Sequence, residues 1–181
     1  MPRKEEYVYP VITYARSTDR AKALLAKPLD IVAAAKYIAT SLPDHFLLAV
    51  AEHESGRACN EVDTEPNGFM TYGIFQLSKS EAKEMGEPDA DLLNLITSTR
   101  IFCRLMEKRL VSIIKEAKLA SHYPPDVYFY LAMVHNMGLA ATLKTIRIYG
   151  LNAAAWTKRN PKLAKNAKYY NDCIGPYYPT K

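Results

Sequence analysis

Glu54 has a position in the sequence that would put a single carboxylic acid at the edge of a cleft. It follows the apolar run 46–51 and is followed by Ser55 and Gly56, and a glycine-containing aromatic segment comes soon after at 72–78. An active site with one general acid can be built from a helix that ends in an acid and is followed by a loop and a turn of this kind. A carboxylic acid that keeps its proton near neutral pH can protonate a glycosidic oxygen, so the spacing indicates cleavage of a sugar polymer.

The helix that would carry this acid has clear start and stop signals. Ser41 supplies an N-cap, Pro43 a proline in the first turn and Asp44 an acid at the third position. We expect the helix to run to about Ser55, where Gly56 can end it.

The position of Glu54 on this helix has chemical consequences. Leu47 and Val50 lie seven and four positions earlier, so Glu54 continues their buried stripe and its carboxyl should be partly desolvated. It also lies in the last turn, at the negative end of the helix dipole. Both effects favour the protonated acid. Glu52 faces away and Glu61 falls in the loop, so neither has this placement.

The remaining patterns predict a mainly α protein, a helical bundle with a small extended or hairpin element beside the site. They indicate helices over 30–40, 78–85, 89–119, 126–149 and 160–173, a loop over 59–69 and an extended segment over 70–77. Ser78 and Glu81 form a capping-box pattern, and Gly86 closes that short helix. We expect residues 1–27 to be an N-terminal extension and 28–181 a single domain.

Charge is spread unevenly along a chain whose net charge is +5. Residues 52–107 hold eleven acidic and five basic side chains, whereas 144–181 hold eight basic residues and one acid. A basic end can attract an anionic polymer such as nucleic acid or a cell wall. No recognition motif accompanies the charge, so we expect no specific nucleic-acid binding.

The N-terminus lacks the pattern of a secretory signal. Arg3 and Lys4 are followed by Glu5 and Glu6, and no apolar segment comes next. No stretch reaches the roughly 18 apolar residues of a membrane span. We expect the protein to be made in a bacterial cytoplasm, or to be exported without such a signal.

Three cysteines allow at most one disulfide, and three pairings are open. We expect buried thiols in a reducing compartment. The cysteines are Cys59, Cys103 and Cys173.

Three blocks of the chain carry a family resemblance. Residues 49–56 contain Glu-Ser at a helix end, 72–78 read Tyr-Gly-Ile-Phe-Gln-Leu-Ser and are followed by Ala82, and 132–138 read Ala-Met-Val-His-Asn-Met-Gly. In this order they resemble the lytic transglycosylases, which have Glu-Ser, then Gly-Leu-Met-Gln-Ile/Leu with a later alanine, then Ala-Tyr-Asn-Ala-Gly. Asn94 and the helix after it resemble the family's intervening block. The similarity covers about 30–175.

The resemblance implies a lysozyme-like (α+β) catalytic domain with Glu54 as the single catalytic acid and base. Glu54 would protonate the oxygen that links N-acetylmuramic acid to N-acetylglucosamine in the glycan strands of peptidoglycan. It would then accept the proton of the muramoyl C6 hydroxyl as a 1,6-anhydro ring closes. Ser55 would orient Glu54, and no cofactor is implied.

The resemblance also assigns residues to the sugar cleft. They are Tyr72, Gly73, Ile74, Phe75, Gln76, His135, Asn136 and one of Tyr169 and Tyr170. Gln76 offers a donor and an acceptor to an N-acetyl group, and Asn136 would do similar work from the opposite wall. Ile74 and Phe75 could equally be ordinary core. His135 replaces the family's tyrosine, so it could bind a saccharide or be a satisfied core histidine.

Hydrolysis by water is the first alternative. Goose-type lysozymes share the architecture and usually carry acids at two positions that here are Asn67 and Ser78. Asp63 and Glu65 lie nearby in sequence and could activate a water. The chain therefore favours the intramolecular reaction without removing the hydrolytic one.

A zinc hydrolase is a second alternative. His53 and Glu54 begin a His-Glu-x-x-His motif, but position 57 is arginine, so the second ligand is missing. We therefore expect no metal.

A non-catalytic wall-binding or virion assembly protein on the same fold is the third alternative. The N-terminal extension and the basic C-terminal part would suit docking onto a phage virion or another assembly. A bare domain without a signal peptide or wall-binding repeats also resembles phage endolysins and virion-associated enzymes, which act at the cell wall or in the periplasm.

Overall fold

The computed structural model describes residues 23–65, 68–119 and 126–159. Within these ranges the protein is mainly helical with a small antiparallel sheet, as predicted. The helices are α1 (Pro28–Tyr37), α2 (Asp44–Ser55), α3 (Lys79–Glu84), α4 (Leu95–Ala117), α5 (Asp126–Met137), α6 (Leu139–Tyr149) and α7 (Ala153–Arg159). The strands are β1 (Val62–Thr64), β2 (Met70–Tyr72) and β3 (Leu77–Ser78). The predicted helix 160–173, Tyr169, Tyr170 and Cys173 lie outside the described residues.

Helix α4 is the central element and packs against α1, α3, α5 and α6. The prediction that it begins at residue 89 was wrong. The Asn94 side chain accepts a hydrogen bond from the Thr97 amide at 3.1 Å, so the helix begins directly after this cap.

Cys103, on the buried face of α4, is a free thiol, and burial raises the pKa of that thiol to about 12.

Helix α2 ends where the sequence predicted but begins differently. Gly56, at φ 58°, forms the C-cap. The N-cap is Pro43 and not Ser41, because the amide and hydroxyl of Ser41 donate instead to Glu107 Oε1 on α4, at 2.7 and 3.0 Å. The start of α2 is therefore fastened to the central helix through Ser41.

Three further predictions were wrong in detail. The single helix expected over 126–149 is divided into α5 and α6 at Gly138, whose φ of 86° lies outside the helical region. The loop expected over 59–69 contains β1, because Val62 is buried and pairs with Tyr72. Helix α1 ends at Tyr37 and not at 40, since Ala39 takes a φ of 55°.

The sheet has the order β1-β2-β3, and both pairs are antiparallel. In the register of β1 and β2, Val62 lies opposite Tyr72 and Asp63 opposite Thr71. Strand β2 pairs with β3 through Tyr72 and Leu77. The turn 73–76 therefore joins two paired strands and lies at a fixed place beside α2.

The last residues of the predicted N-terminal extension pair with the loop after α2. The Cys59 amide donates to the Leu24 carbonyl at 3.0 Å, and the Ala26 amide donates to the Arg57 carbonyl at 2.9 Å. Leu25 and Ala58 form an antiparallel bridge.

Among the described helices, none is long and apolar enough to cross a membrane.

Candidate active site

The end of helix α2 is fastened to the turn 73–76. The Ser55 hydroxyl donates to the Ile74 carbonyl at 2.9 Å, and the Ala51 carbonyl of its own helix lies 3.3 Å away. Glu54, the preceding residue, is half-buried. Ser55 therefore holds the last turn of α2, which bears Glu54, against the turn 73–76.

Gly73 allows this turn to pass close to the loop before α4. Its φ is 73°, and a Cβ at this position would lie 2.0 Å from the Leu92 carbonyl oxygen. Its amide donates to the Glu61 carbonyl at 2.8 Å. Both the backbone conformation and the close approach require glycine here.

The Gln76 side chain stabilises the turn 73–76 through two hydrogen bonds. The residue has a φ of 47° and is 9% exposed. Its Nε2 donates to the Gly73 carbonyl at 2.8 Å, and its Oε1 accepts from the Thr71 hydroxyl at 2.7 Å. Within the described ranges the amide has no further partner, so one N–H and one oxygen lone pair can still bind a ligand, while the rest of the amide holds the turn.

The side chains of Ile74 and Phe75 belong to the core. Both are 0% exposed, and the Phe75 ring stacks on Phe102 with centroids 4.2 Å apart. Neither side chain can contact a ligand in this arrangement, and their carbonyl oxygens accept from Ser55 and His135. Their part in the site is to position the turn.

Tyr72 is the aromatic residue of the turn region that remains partly exposed. Its hydroxyl lies 3.5 Å from Met70 Sδ, and Lys79 Nζ lies 5.9 Å from its ring centroid. The ring is therefore placed at the surface, beside one cation and one apolar side chain.

His135 connects α5 to the same turn. Its Nε2 lies 2.9 Å from the Phe75 carbonyl, and because a carbonyl only accepts, this nitrogen must carry the hydrogen. The ring meets Phe102 edge-on at 5.3 Å. Its Nδ1 is buried and has no hydrogen-bond partner among the described residues. Asn136 is exposed in the last turn of α5.

The charged groups of α2 and α5 influence each other. Burial lowers the pKa of His53, the charge of Glu54 raises it, and the charge of His135 lowers it. Both neighbours therefore lie within electrostatic reach of His53.

Glu81 is a second carboxylate of this region, and the sequence indicated only its capping role. It forms the expected capping box with Ser78, whose amide donates to Oε2 at 2.9 Å. Its Oε1 also accepts from Arg109 Nη2 at 3.0 Å, and the two side chains are 19% and 13% exposed. Arg109 follows 28 positions later, so no local pattern could have revealed the pair.

The residues named for the hydrolytic and zinc-dependent alternatives have the following positions in the structure. Asp63 and Glu65 are exposed on and after β1, and Ser78 caps α3, whereas Asn67 lies outside the described residues. Arg57 pairs with Glu52 at 2.6 Å. In the part of the chain that the structure describes, no group of three His, Cys, Asp or Glu side chains could hold a metal ion.

Comparison with known proteins identifies no relative: no family model, no curated protein and no solved structure matches this chain.

Proposed function

We propose that this protein is a peptidoglycan lytic transglycosylase with a lysozyme-like fold and that Glu54 is its catalytic acid and base. The proposal rests on the three sequence blocks, on the half-buried Glu54 at the end of α2 and on the way in which the blocks meet.

Two hydrogen bonds carry the proposal. Ser55 reaches the Ile74 carbonyl across 19 positions, and His135 reaches the Phe75 carbonyl across 60 positions. Each of these side chains comes from one block and binds the second block, so three segments that resemble family motifs converge on one turn.

In the proposed reaction, Glu54 gives its proton to the glycosidic oxygen as the bond from that oxygen to the muramoyl C1 breaks. The electron pair of the bond leaves with the N-acetylglucosamine oxygen, which becomes a hydroxyl. The muramoyl C6 hydroxyl then attacks C1, and its proton passes to Glu54. The anhydro ring closes, the carboxylic acid is regenerated, and no second carboxylate is consumed.

The other residues of the site would hold the glycan. The free N–H and lone pair of Gln76 can bind an N-acetyl group, and Tyr72 offers a ring face to a saccharide. Asn136 is exposed and can bind from the α5 side. The turn itself, held by Gly73 and Ser55, would fix the distance between the acid and the bound sugar.

The decisive experiment is digestion of purified peptidoglycan followed by mass spectrometry of the fragments. We expect the wild type to release 1,6-anhydromuramoyl ends and Glu54→Gln to lose at least about a hundredfold in rate, because the amide cannot donate a proton. Glu52→Gln is the matched control, since this acid lies two positions away, is exposed and forms a surface ion pair with Arg57. Equal activity of wild type and Glu54→Gln would refute the proposal.

Hydrolysis is the second candidate, and one observation favours it. Asp63 lies opposite Thr71 in the sheet, and Thr71 donates to Gln76, so an exposed carboxylate lies one strand away from the turn. It could activate a water in place of the C6 hydroxyl. Reducing muramoyl ends in the same digest, lost in Asp63→Asn, would identify a muramidase.

A further inference from the structure

We propose that Thr71 is a positioning residue of the Glu54 site: its hydroxyl holds the Gln76 side-chain amide in one orientation, with one N–H left to bind the carbonyl oxygen of an acetamido group. The inference deepens the proposed function and rests on it, although its binding step can be measured without cleavage. It assigns Thr71 a part in substrate specificity.

The backbone of Gln76 is the first observation behind this proposal. Its φ of 47° lies in the left-handed region, which glycine adopts far more readily than glutamine. Ordered non-glycine residues in this region cluster at functional sites, where the surrounding contacts hold them in place. Such contacts exist here, because the backbone amide and Nε2 of Gln76 both donate to the Gly73 carbonyl, at 3.1 and 2.8 Å.

The direction of each hydrogen bond around the Gln76 amide is fixed by chemistry. A carbonyl oxygen only accepts, so the side-chain atom 2.8 Å from the Gly73 oxygen must be Nε2. Oε1 therefore faces Thr71, and since Oε1 also only accepts, the Thr71 hydroxyl must donate to it, at 2.7 Å. A flipped amide would set two acceptor oxygens against each other at Gly73. The amide thus has one stable orientation.

The Thr71 hydroxyl also makes the Gln76 amide a stronger donor. Donation to Oε1 polarises the amide, and hydrogen bonds that are linked in a chain strengthen one another. Nε2 has two N–H groups, and the Gly73 carbonyl uses one of them. The second N–H has no partner among the described residues, so it can donate to an acetamido carbonyl. Loss of the Thr71 hydroxyl would weaken this donor and loosen the amide.

The sheet fixes Thr71 relative to the proposed acid. Thr71 lies on the central strand, opposite Asp63 on one side and Ser78 on the other. The turn that follows is joined to the end of α2, because Ser55 donates to the Ile74 carbonyl. A hydroxyl on a paired strand therefore orients an amide in the same turn that α2 contacts.

The first test is the binding of two neutral sugar probes, the β-1,4-linked trimers of N-acetylglucosamine and of glucose. We expect the wild type to prefer the acetylated trimer and Thr71→Val to reduce that preference by about three- to tenfold, the effect of one neutral hydrogen bond. Thr71→Ser keeps the hydroxyl and should keep the preference. Titration calorimetry measures all four affinities that each comparison needs.

Thr64→Val is the matched control for this test. Thr64 is exposed on β1 and lies opposite Met70, so the substitution removes the same hydroxyl from the same sheet at a position away from Gln76. It should leave the preference unchanged. A wild type without preference for the acetylated trimer, an equal loss in Thr71→Ser, or an equal loss in Thr64→Val would each overturn the inference.

A double-mutant cycle tests whether Thr71 acts through Gln76. Gln76→Met removes the amide, so adding Thr71→Val to it should cause no further loss of preference for the acetylated trimer. Losses that multiply in the double variant would show that Thr71 contributes independently of the amide, which contradicts a positioning role.

Cleavage of purified peptidoglycan separates this inference from the proposed function. We expect Thr71→Val to raise KM by about three- to tenfold with kcat nearly unchanged, because the lost contact is made by the bound substrate as well as by the transition state. A protein that cleaves peptidoglycan but has the same sugar preference in wild type and Thr71→Val refutes the role of Thr71. A preference that depends on the Thr71 hydroxyl in a protein that cleaves no peptidoglycan supports that role and refutes only the proposed activity.

Discussion

At the scale of single residues, Gly73 shows how the turn beside Glu54 depends on one missing side chain. The residue combines a φ of 73° with a backbone carbonyl, that of Leu92, which would lie 2.0 Å from a Cβ. Gly86 has a similar φ of 81°, but no atom of the residues that the structure describes lies within 4 Å of such a Cβ. Both glycines therefore have a left-handed backbone conformation. Of the two, Gly73 also lies close to the backbone of Leu92.

Alanine substitution of these two glycines separates the two requirements. Gly86→Ala should lower the free energy of unfolding by about 1–2 kcal/mol, the cost of placing an L-residue in the left-handed region. Gly73→Ala should cost that amount and about 1–3 kcal/mol more, because a backbone atom must move away from the new methyl group. Urea unfolding measures both, and equal losses would show that the approach to Leu92 is relaxed at no cost.

At the scale of elements, the sequence predicted what local chemistry decides and missed what distant contacts decide. The end of α2 at Gly56 and the capping box of α3 were predicted, because both depend on residues within one helical turn. The start of α2 was missed because Ser41 binds Glu107 on α4, a partner 66 positions away. A side chain that can cap a helix can also bond elsewhere, and only the tertiary fold decides which bond forms.

The bond between Glu107 and the start of α2 has a testable pH dependence. Burial raises the pKa of the Glu107 carboxyl, but the hydrogen bonds from Ser41 and Thr40 outweigh burial and bring that pKa below the ordinary 4.5. This stabilisation is present above 4.5 and is lost as the pH falls through the folded value. Glu107→Gln should therefore lower the free energy of unfolding by about 1 kcal/mol at pH 7, and the difference should shrink in acid.

Thermal unfolding of Glu107→Gln and wild type at several pH values checks this prediction. Glu52→Gln removes the same charge from an exposed acid and should change stability by no more than about 0.5 kcal/mol. A difference between Glu107→Gln and wild type that persists unchanged into acid would show that the charge of Glu107 is not what fastens α2 to α4.

At the scale of the whole molecule, α4 holds the parts of the candidate site together. Phe102, on its buried face, stacks on Phe75 of the turn at 4.2 Å and on Phe46 of α2 at 6.2 Å. It also meets His135 of α5 at 5.3 Å. The sequence indicated Glu54 and the blocks around it as a candidate site, but no local pattern identified the residue on which the turn, α2 and α5 converge, since these three ring partners of Phe102 are distant along the chain.

A substitution at Phe102 should therefore affect stability and the site together. Phe102→Leu should lower the free energy of unfolding by about 1–3 kcal/mol, because it removes two stacked and one edge-on aromatic contact from a fully buried position. Val111→Ala, at a 65% exposed position of the same helix, should stay within about 0.5 kcal/mol. The His135 Nε2–H should also exchange faster in Phe102→Leu than in Val111→Ala, since only the first variant releases the imidazole ring. Equal unfolding energies and equal exchange in the two variants would mean that α4 supports the helices without positioning the turn.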